Sequence, residues 1–111
     1  MSNDDFDFPV RVLISKEDRI DFVLSGICAF YGITLSELKK RARNPRKTLR
    51  KKIAIKILRD IADVRLIDCM FALGGKSESA IWQLYDSISE DLCGITEIKT
   101  EYESVRKYLR V

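Results

Sequence analysis

Apolar residues recur every three or four positions along most of the chain, which is the spacing of one buried stripe on an α-helix. In the first such segment the stripe consists of Ile20, Val23, Leu24, Ile27 and either Phe30 or Tyr31. No segment alternates apolar and polar residues for long enough to predict a β-strand. The pattern therefore predicts an all-α fold.

Start and stop signals divide this pattern into helices. Ser15 is a suitable N-cap for the first helix, and Gly32 is a suitable residue to end it. A capping box beginning at Thr34 starts a short second helix that runs to about residue 40. Asn44 and Pro45 then form the cap and first-turn pair of a third helix.

Three more helices follow, which makes six. The glycine pair 74–75 ends a short fourth helix, Ser77 caps a fifth that closes near Gly94, and Thr96 starts a sixth. The apolar positions expected along the last four helices are, in chain order, Leu49, Ile53, Ala54, Ile57, Leu58 and Ile61; Leu66, Ile67, Met70, Phe71 and Leu73; Ile81, Trp82, Tyr85, Ile88 and Leu92; Ile98, Tyr102, Val105 and Leu109.

The stretch "FALGGKSESAIW" (71–82) has two interpretations. A phosphate-binding loop needs a first glycine five residues before Gly75, but Met70 occupies that position and the residues between are helix-compatible. A phosphate loop is therefore excluded. A short helix, a glycine turn and a longer helix over 65–91 instead predict a helix-turn-helix, in which the start of the second helix points towards a DNA major groove.

Length and composition narrow the class of protein further. The 111 residues suit one domain over 15–111 preceded by an acidic tail over 1–14, and no apolar run is long enough to span a membrane. Cys28, Cys69 and Cys93 show no metal-binding spacing, and the chain has no histidine. We therefore expect mostly buried, reduced thiols in a cytoplasmic protein, with no catalytic residue, no metal and no cofactor.

The net charge of +3 hides a strong asymmetry. Of the 20 basic residues, eleven lie between Lys39 and Arg59, where there is no acidic residue; the remaining nine share the rest of the chain with all 17 acidic residues. A solvated helix face is one explanation, but such faces usually mix both signs. An uninterrupted positive run repels itself unless a polyanion relieves it, so the segment favours nucleic acid, or less strongly an anionic surface.

Three segments resemble the C-terminal DNA-binding domain of the bacterial replication initiator DnaA. They are "FYGITLSELKKRARN" (30–44), "RKKIAIKILRDIADVRL" (50–66) and "FALGGKSESAI" (71–81), and with the flanking helices the likeness covers roughly 15–110. The resemblance implies a six-helix bundle with a helix-turn-helix, similar in fold to the Trp repressor. It also implies binding of double-stranded DNA, with a basic loop in the minor groove and the helix-turn-helix in the major groove.

Individual positions carry over from this resemblance. Arg43 corresponds to the arginine that enters the minor groove, while Arg41 and Lys51 correspond to basic positions at the phosphate backbone. Lys76 corresponds to the arginine of the Gly-Gly-Arg-Asp-His-Thr-Thr signature, and Ser79 to its first threonine.

The signature then breaks down. Ser77 replaces its aspartate, Glu78 its base-reading histidine and Ala80 its second threonine. Asp86 and Ser87 replace positions that are usually basic or neutral. A carboxylate repels phosphate but can accept a hydrogen bond from cytosine N4, so we expect base reading to be weakened or altered.

Two functions remain open at this stage. The first is a non-enzymatic protein that binds double-stranded DNA, is associated with the nucleoid and uses residues 39–59 together with the helix-turn-helix. Its predicted contact residues are Arg41, Arg43, Arg46, Arg50, Lys51, Lys52, Lys76, Ser77, Glu78 and Ser79. The second is a protein-interaction module whose acidic helix 78–91 docks a basic partner. We expect Arg43 and Arg50 to project away from the core in either case.

Overall fold

The computed structural model describes residues 15–41 and 43–111, and the predicted acidic tail 1–14 lies outside this range. The described residues form six α-helices and no strand, which confirms the all-α prediction. The helices are α1 (Lys16–Tyr31), α2 (Leu35–Lys39), α3 (Pro45–Asp60), α4 (Leu66–Ala72), α5 (Glu78–Gly94) and α6 (Thr96–Leu109). None of these helices is both long enough and apolar enough to cross a membrane.

The helix ends form where the capping residues predict them. The side chains of Ser15, Thr34, Asn44 and Ser77 each accept a hydrogen bond from the backbone N–H three residues later, at 2.9 to 3.2 Å. Gly32 ends α1 in the left-handed conformation, with φ of 66°. These bonds satisfy backbone donors that a helix leaves unpaired at its first turn, so the boundaries are fixed locally.

Helix α3 is the centre of the bundle and packs against α1, α2, α4 and α5. Its buried residues are Ile53, Ala54, Ile55, Ile57 and Leu58. Ile55 was not predicted to be buried, because a single-stripe pattern assumes that a helix meets the core on one side. A helix enclosed by four others buries a wider part of its surface.

The structure corrects three expectations about burial. Phe71 of α4 and Trp82 of α5 were assigned to the core, but their side chains are 70% and 48% exposed. Each follows a buried residue, Met70 or Ile81, and one step along a helix turns the side chain by about 100° towards solvent. Cys93 is exposed as well, whereas Cys69 is buried.

The turn between α4 and α5 depends on its glycine pair. Gly74 has φ of +71°, a backbone conformation that strains residues with a side chain. The N–H of Gly75 donates to the Met70 carbonyl at 2.8 Å, and a Cβ at this position would lie 2.9 Å from Met70 Cγ. The turn is therefore tight because it lies directly on the end of α4.

Replacing Gly74 with alanine should lower the free energy of unfolding by about 1–2 kcal/mol, since the substitution places a Cβ in the left-handed region. Gly94→Ala is the matched control, because a Cβ there meets no atom within 4 Å and the residue lies in the last turn of α5. We expect the control to stabilise the protein by up to about 1 kcal/mol. Urea unfolding measures both, and equal midpoints would contradict the strained turn.

Candidate nucleic-acid interface

A dense group of cations extends from the end of α2, through the connection, into the first turn of α3. We call residues 39–41 and 43–47 the basic loop. Its exposed cations are Lys39, Lys40, Arg41, Arg43, Arg46 and Lys47. Leu38, only 2% exposed, anchors one end in the core, and the Asn44 cap fixes the other end at the start of α3. The loop is thus held at both ends while its charges face solvent.

One backbone group joins the basic loop to the turn between α4 and α5. The Lys39 carbonyl accepts a hydrogen bond from Lys51 Nζ at 3.1 Å. A Cβ at Gly74 would lie 3.7 Å from Lys39 Cβ and 3.8 Å from the same carbonyl oxygen. Lys51 therefore ties the loop to α3, and burial lowers its pKa. The basic loop and the α4–α5 turn form neighbouring parts of one surface.

The start of α5 presents the second part of the predicted site. Lys76, Ser77, Glu78 and Ser79 are all exposed. The Ser77 hydroxyl oxygen already accepts a hydrogen bond from the Ala80 N–H at 3.2 Å, so this serine primarily caps the helix. Lys76 and Ser79 offer donors towards solvent, while Glu78 places a carboxylate in the first turn.

Carboxylates from α3, α5 and α6 pair with several cations of residues 39–59. Three short ion pairs form, between Arg46 and Glu101 at 2.5 Å, Lys52 and Asp91 at 3.0 Å, and Lys56 and Asp60 at 2.6 Å. The sequence suggested that a polyanion must relieve the repulsion within residues 39–59. Part of that relief comes from the chain itself, and the unpaired positive charge is concentrated in the basic loop.

Glu101 also connects α6 to the end of α1. The Tyr31 hydroxyl donates to Glu101 Oε2 at 2.5 Å, while Arg46 contacts the other carboxylate oxygen. Burial, followed by this bond to a carboxylate, raises the pKa of Tyr31. The guanidinium carbons of Arg46 and Arg50 each lie 5.8 Å from the centre of the Tyr31 ring, within the range of a cation–π contact.

The expectation that Arg50 projects freely from α3 is wrong. Its side chain is half-buried beside Tyr31, and its Nε is buried without a hydrogen-bond partner among the described residues. Arg43, by contrast, is exposed as expected. A charge reversal at Arg50 would therefore disturb packing as well as charge, whereas one at Arg43 would not.

Sequence reasoning missed the acidic partners of this surface. Glu101 lies 55 residues after Arg46 and 70 after Tyr31, and Asp91 lies 39 after Lys52. No local spacing links such pairs, so only helix packing reveals them. In the part of the chain that the structure describes, no group of three or more histidine, cysteine or acidic side chains is arranged to hold a metal ion.

The exposed basic loop thus lies beside the glycine turn between α4 and α5 in an all-α bundle. The chain is similar to the chromosomal replication initiator protein DnaA of several bacteria, which confirms the resemblance seen in the sequence. It is 24% identical to the Herpetosiphon aurantiacus protein over 97 residues, covering 86% of this chain and 21% of the relative.

Two further relatives show similar coverage. The identity is 24% over 102 residues with DnaA of Streptococcus mutans, covering 92% of this chain and 22% of the relative. With DnaA of Chlorobaculum tepidum it is 20% over 97 residues, covering 87% and 20%. The chain thus spans about a fifth of the length of these relatives. No protein-family model and no solved structure matches it.

The raised pKa of Tyr31 predicts a pH dependence of stability. A phenol whose folded-state pKa lies above its unfolded value of about 10 contributes stability that is complete below pH ~10 and is lost as the pH rises further. Tyr31→Phe should therefore lose less stability between pH 9 and 11 than the wild type, although it is less stable at pH 7 because the bond to Glu101 is gone.

Chemical unfolding at each pH provides the measurement, and Tyr108→Phe, at an exposed tyrosine, is the control. The control should follow the wild-type curve throughout. Identical pH dependence in Tyr31→Phe and the wild type would show that burial and Glu101 do not raise the pKa of Tyr31 in solution.

Proposed function

We propose that this chain is a non-enzymatic module that binds double-stranded DNA through the basic loop and the adjoining start of α5. The observation that carries the proposal is the contact at Lys39, which joins the basic loop to the turn at Gly74, two residues before the exposed start of α5 at 76–79. The similarity to replication initiator proteins supports the same assignment.

The exposed cations fall into two groups. Lys39, Lys40, Arg41, Arg43, Lys47 and Lys76 are exposed and have no ion pair within the described residues. These six are the primary contacts, with Arg43 assigned to the minor groove and the others to phosphates. Arg46 and Lys52 contribute less, because a phosphate must first displace Glu101 or Asp91. Lys51 acts by holding the loop.

Sequence selectivity should be weak or altered. Phosphate contacts fix the position of a protein on DNA, whereas base contacts specify the sequence. The residue best placed to read a base is Glu78, whose carboxylate accepts a hydrogen bond from cytosine N4 but repels the flanking phosphates. Most of the binding free energy therefore comes from the loop.

A protein-interaction module is the second candidate, and the exposed face of α5 favours it. Glu78, Trp82, Asp86 and Glu90 are exposed at four-residue spacing, so they follow one another along the helix. An exposed tryptophan among carboxylates suits a basic partner, because its ring attracts cations and it is enriched at interfaces. Under this second candidate function, the wild-type protein should have negligible affinity for DNA.

Charge reversal in the basic loop tests the DNA-binding proposal. With five cations at phosphates, the log–log dependence of affinity on salt should have a slope between about −4 and −5. Arg43→Glu together with Lys47→Glu should lower affinity about 100-fold and reduce the slope by about two, since two attractions become repulsions. Fluorescence anisotropy on random and AT-rich duplexes at several salt concentrations measures both quantities.

The matched control is Lys99→Glu together with Lys107→Glu, which changes the net charge equally at exposed sites on α6. Both variants should remain folded by circular dichroism, because the four sites are exposed. If the two double variants lose affinity equally, the loop is not the interface. A wild-type slope between 0 and −1 would reject the electrostatic surface altogether.

Removing the Glu78 charge tests the start of α5. Glu78→Gln should tighten binding to DNA of any sequence by a few fold, because it removes a repulsion at the phosphates. Wild-type preference among duplexes should stay below about tenfold, the value of one modest base contact. Glu90→Gln, three turns further along α5, is the control and should have little effect. Selective weakening on one sequence in Glu78→Gln would instead identify Glu78 as a base reader.

A further inference from the structure

A small pocket lies at the base of the basic loop, between α2 and the first turns of α3. It is lined by Glu37, Lys40, Arg41, Lys47 and Arg50 and has a volume of about 250 Å³. The elements that form it are fixed by the Thr34 and Asn44 caps, which set the start of each helix. The backbone that carries the lining side chains is therefore fixed by the fold.

The lining of the pocket is strongly positive. Four cations face one carboxylate, and Glu37 forms no ion pair within 4.0 Å with any of them in the described part of the chain. Elsewhere in residues 39–59, cations close to a carboxylate pair with it, as Arg46, Lys52 and Lys56 do. The charge of this pocket is thus left uncompensated by the chain.

Arg50 provides an independent observation. Its Nε is buried and has no hydrogen-bond partner among the described residues, although its guanidinium is held against the Tyr31 ring. A buried donor without a partner is costly, and native structures usually supply one. Because Arg50 also lines the pocket, an acceptor placed there would lie next to this side chain.

The size and charge of the pocket define its ligand. A volume of about 250 Å³ is below the roughly 300–1,000 Å³ of pockets that enclose drug-sized molecules, so the site suits a small group. Planar guanidinium groups match the oxygen geometry of phosphate, and lysines supply additional point charges. We propose that this pocket binds a single phosphate group, with Arg50, Arg41, Lys40 and Lys47 as its donors.

The phosphate group in the pocket has two possible sources, the backbone of DNA and free inorganic phosphate. The assignment to a DNA phosphate rests on the proposed function. The assignment of the pocket as a phosphate site is independent of it, because it is argued from the geometry of α2, α3 and Arg50. Glu37 limits affinity from the rim, because its carboxylate repels the anion. A backbone phosphate held here would fix the register of the loop on the duplex, so that Arg43 enters the groove at a defined position.

The direct test follows the Nε–H signal of Arg50 by NMR in the ¹⁵N-labelled protein, with Arg50→Lys identifying the signal by its loss. Sodium phosphate should shift this signal saturably, while sodium chloride at the same ionic strength should not. Duplex DNA should shift it in the same direction if the backbone supplies the phosphate. If DNA moves the Arg43 signal but leaves Arg50 unchanged, and phosphate still binds, the occupant is free phosphate.

Absence of any saturable Arg50 shift, or an equal shift with chloride, would overturn the phosphate site even if DNA binds elsewhere on the loop. Conversely, a phosphate-induced shift without DNA binding would reject the proposed function and leave the site intact. The two failures are therefore distinguishable in one set of spectra.

Variants provide a second line of evidence. Lys47→Gln, at an exposed position, should weaken phosphate binding about tenfold, the loss expected for one charge-assisted hydrogen bond. Glu37→Gln should strengthen phosphate binding while retaining the capping box. Arg59→Gln, which removes a cation at the opposite end of α3, is the control and should bind phosphate like the wild type. Equal weakening in Lys47→Gln and Arg59→Gln would show a nonspecific charge effect and overturn the site.

Discussion

The arrangement of the candidate interface depends on the backbone at Lys39. The carbonyl of this residue accepts the Lys51 ammonium, and the glycine turn between α4 and α5 packs against the same peptide. Two segments that lie more than thirty residues apart in sequence thereby become one surface. If this contact were absent, the basic loop would remain positive but would have no fixed relation to the start of α5. Gly74 permits the approach, because its left-handed backbone keeps the turn close to α2.

The distribution of charge follows from the position of α3 at the centre of the bundle. Its apolar side is enclosed by neighbouring helices, so its polar positions lie at the edges of those contacts. Lys52 and Lys56 meet Asp91 and Asp60 there, and Tyr85 also donates to Asp60 at 2.6 Å. In the first turn of α3, Arg46 and Lys47 are exposed, and Lys47 forms no ion pair within the described residues. A segment that is uniformly basic in sequence is thus divided into a structural part and an exposed part.

Tyr31 and Glu101 connect the start of α3 to the rest of the fold. Glu101 accepts from both Tyr31 and Arg46, while the Tyr31 ring lies under Arg46 and Arg50. The cluster joins the end of α1, the start of α3 and the body of α6. It therefore ties the start of α3, next to the basic loop, to two other helices, which suits the proposed contact of the loop with phosphates.

Much of the fold was predictable from local signals, because caps, glycine ends and helical spacing each act within a few residues. Ser15, Thr34, Asn44 and Ser77 fixed the helix starts in this way, and the exposure of Arg43 followed from its place before a cap. The burial of Ile55, the exposure of Phe71 and Trp82, and the half-buried state of Arg50 were different, because they depend on how many helices surround a residue. The ion pairs of Arg46 and Lys52 likewise join residues far apart in the chain. The sequence alone determined which segments are helices and where positive charge accumulates. Packing determined which of those charges stay free, since a cation is neutralised only when a distant carboxylate is brought within contact distance.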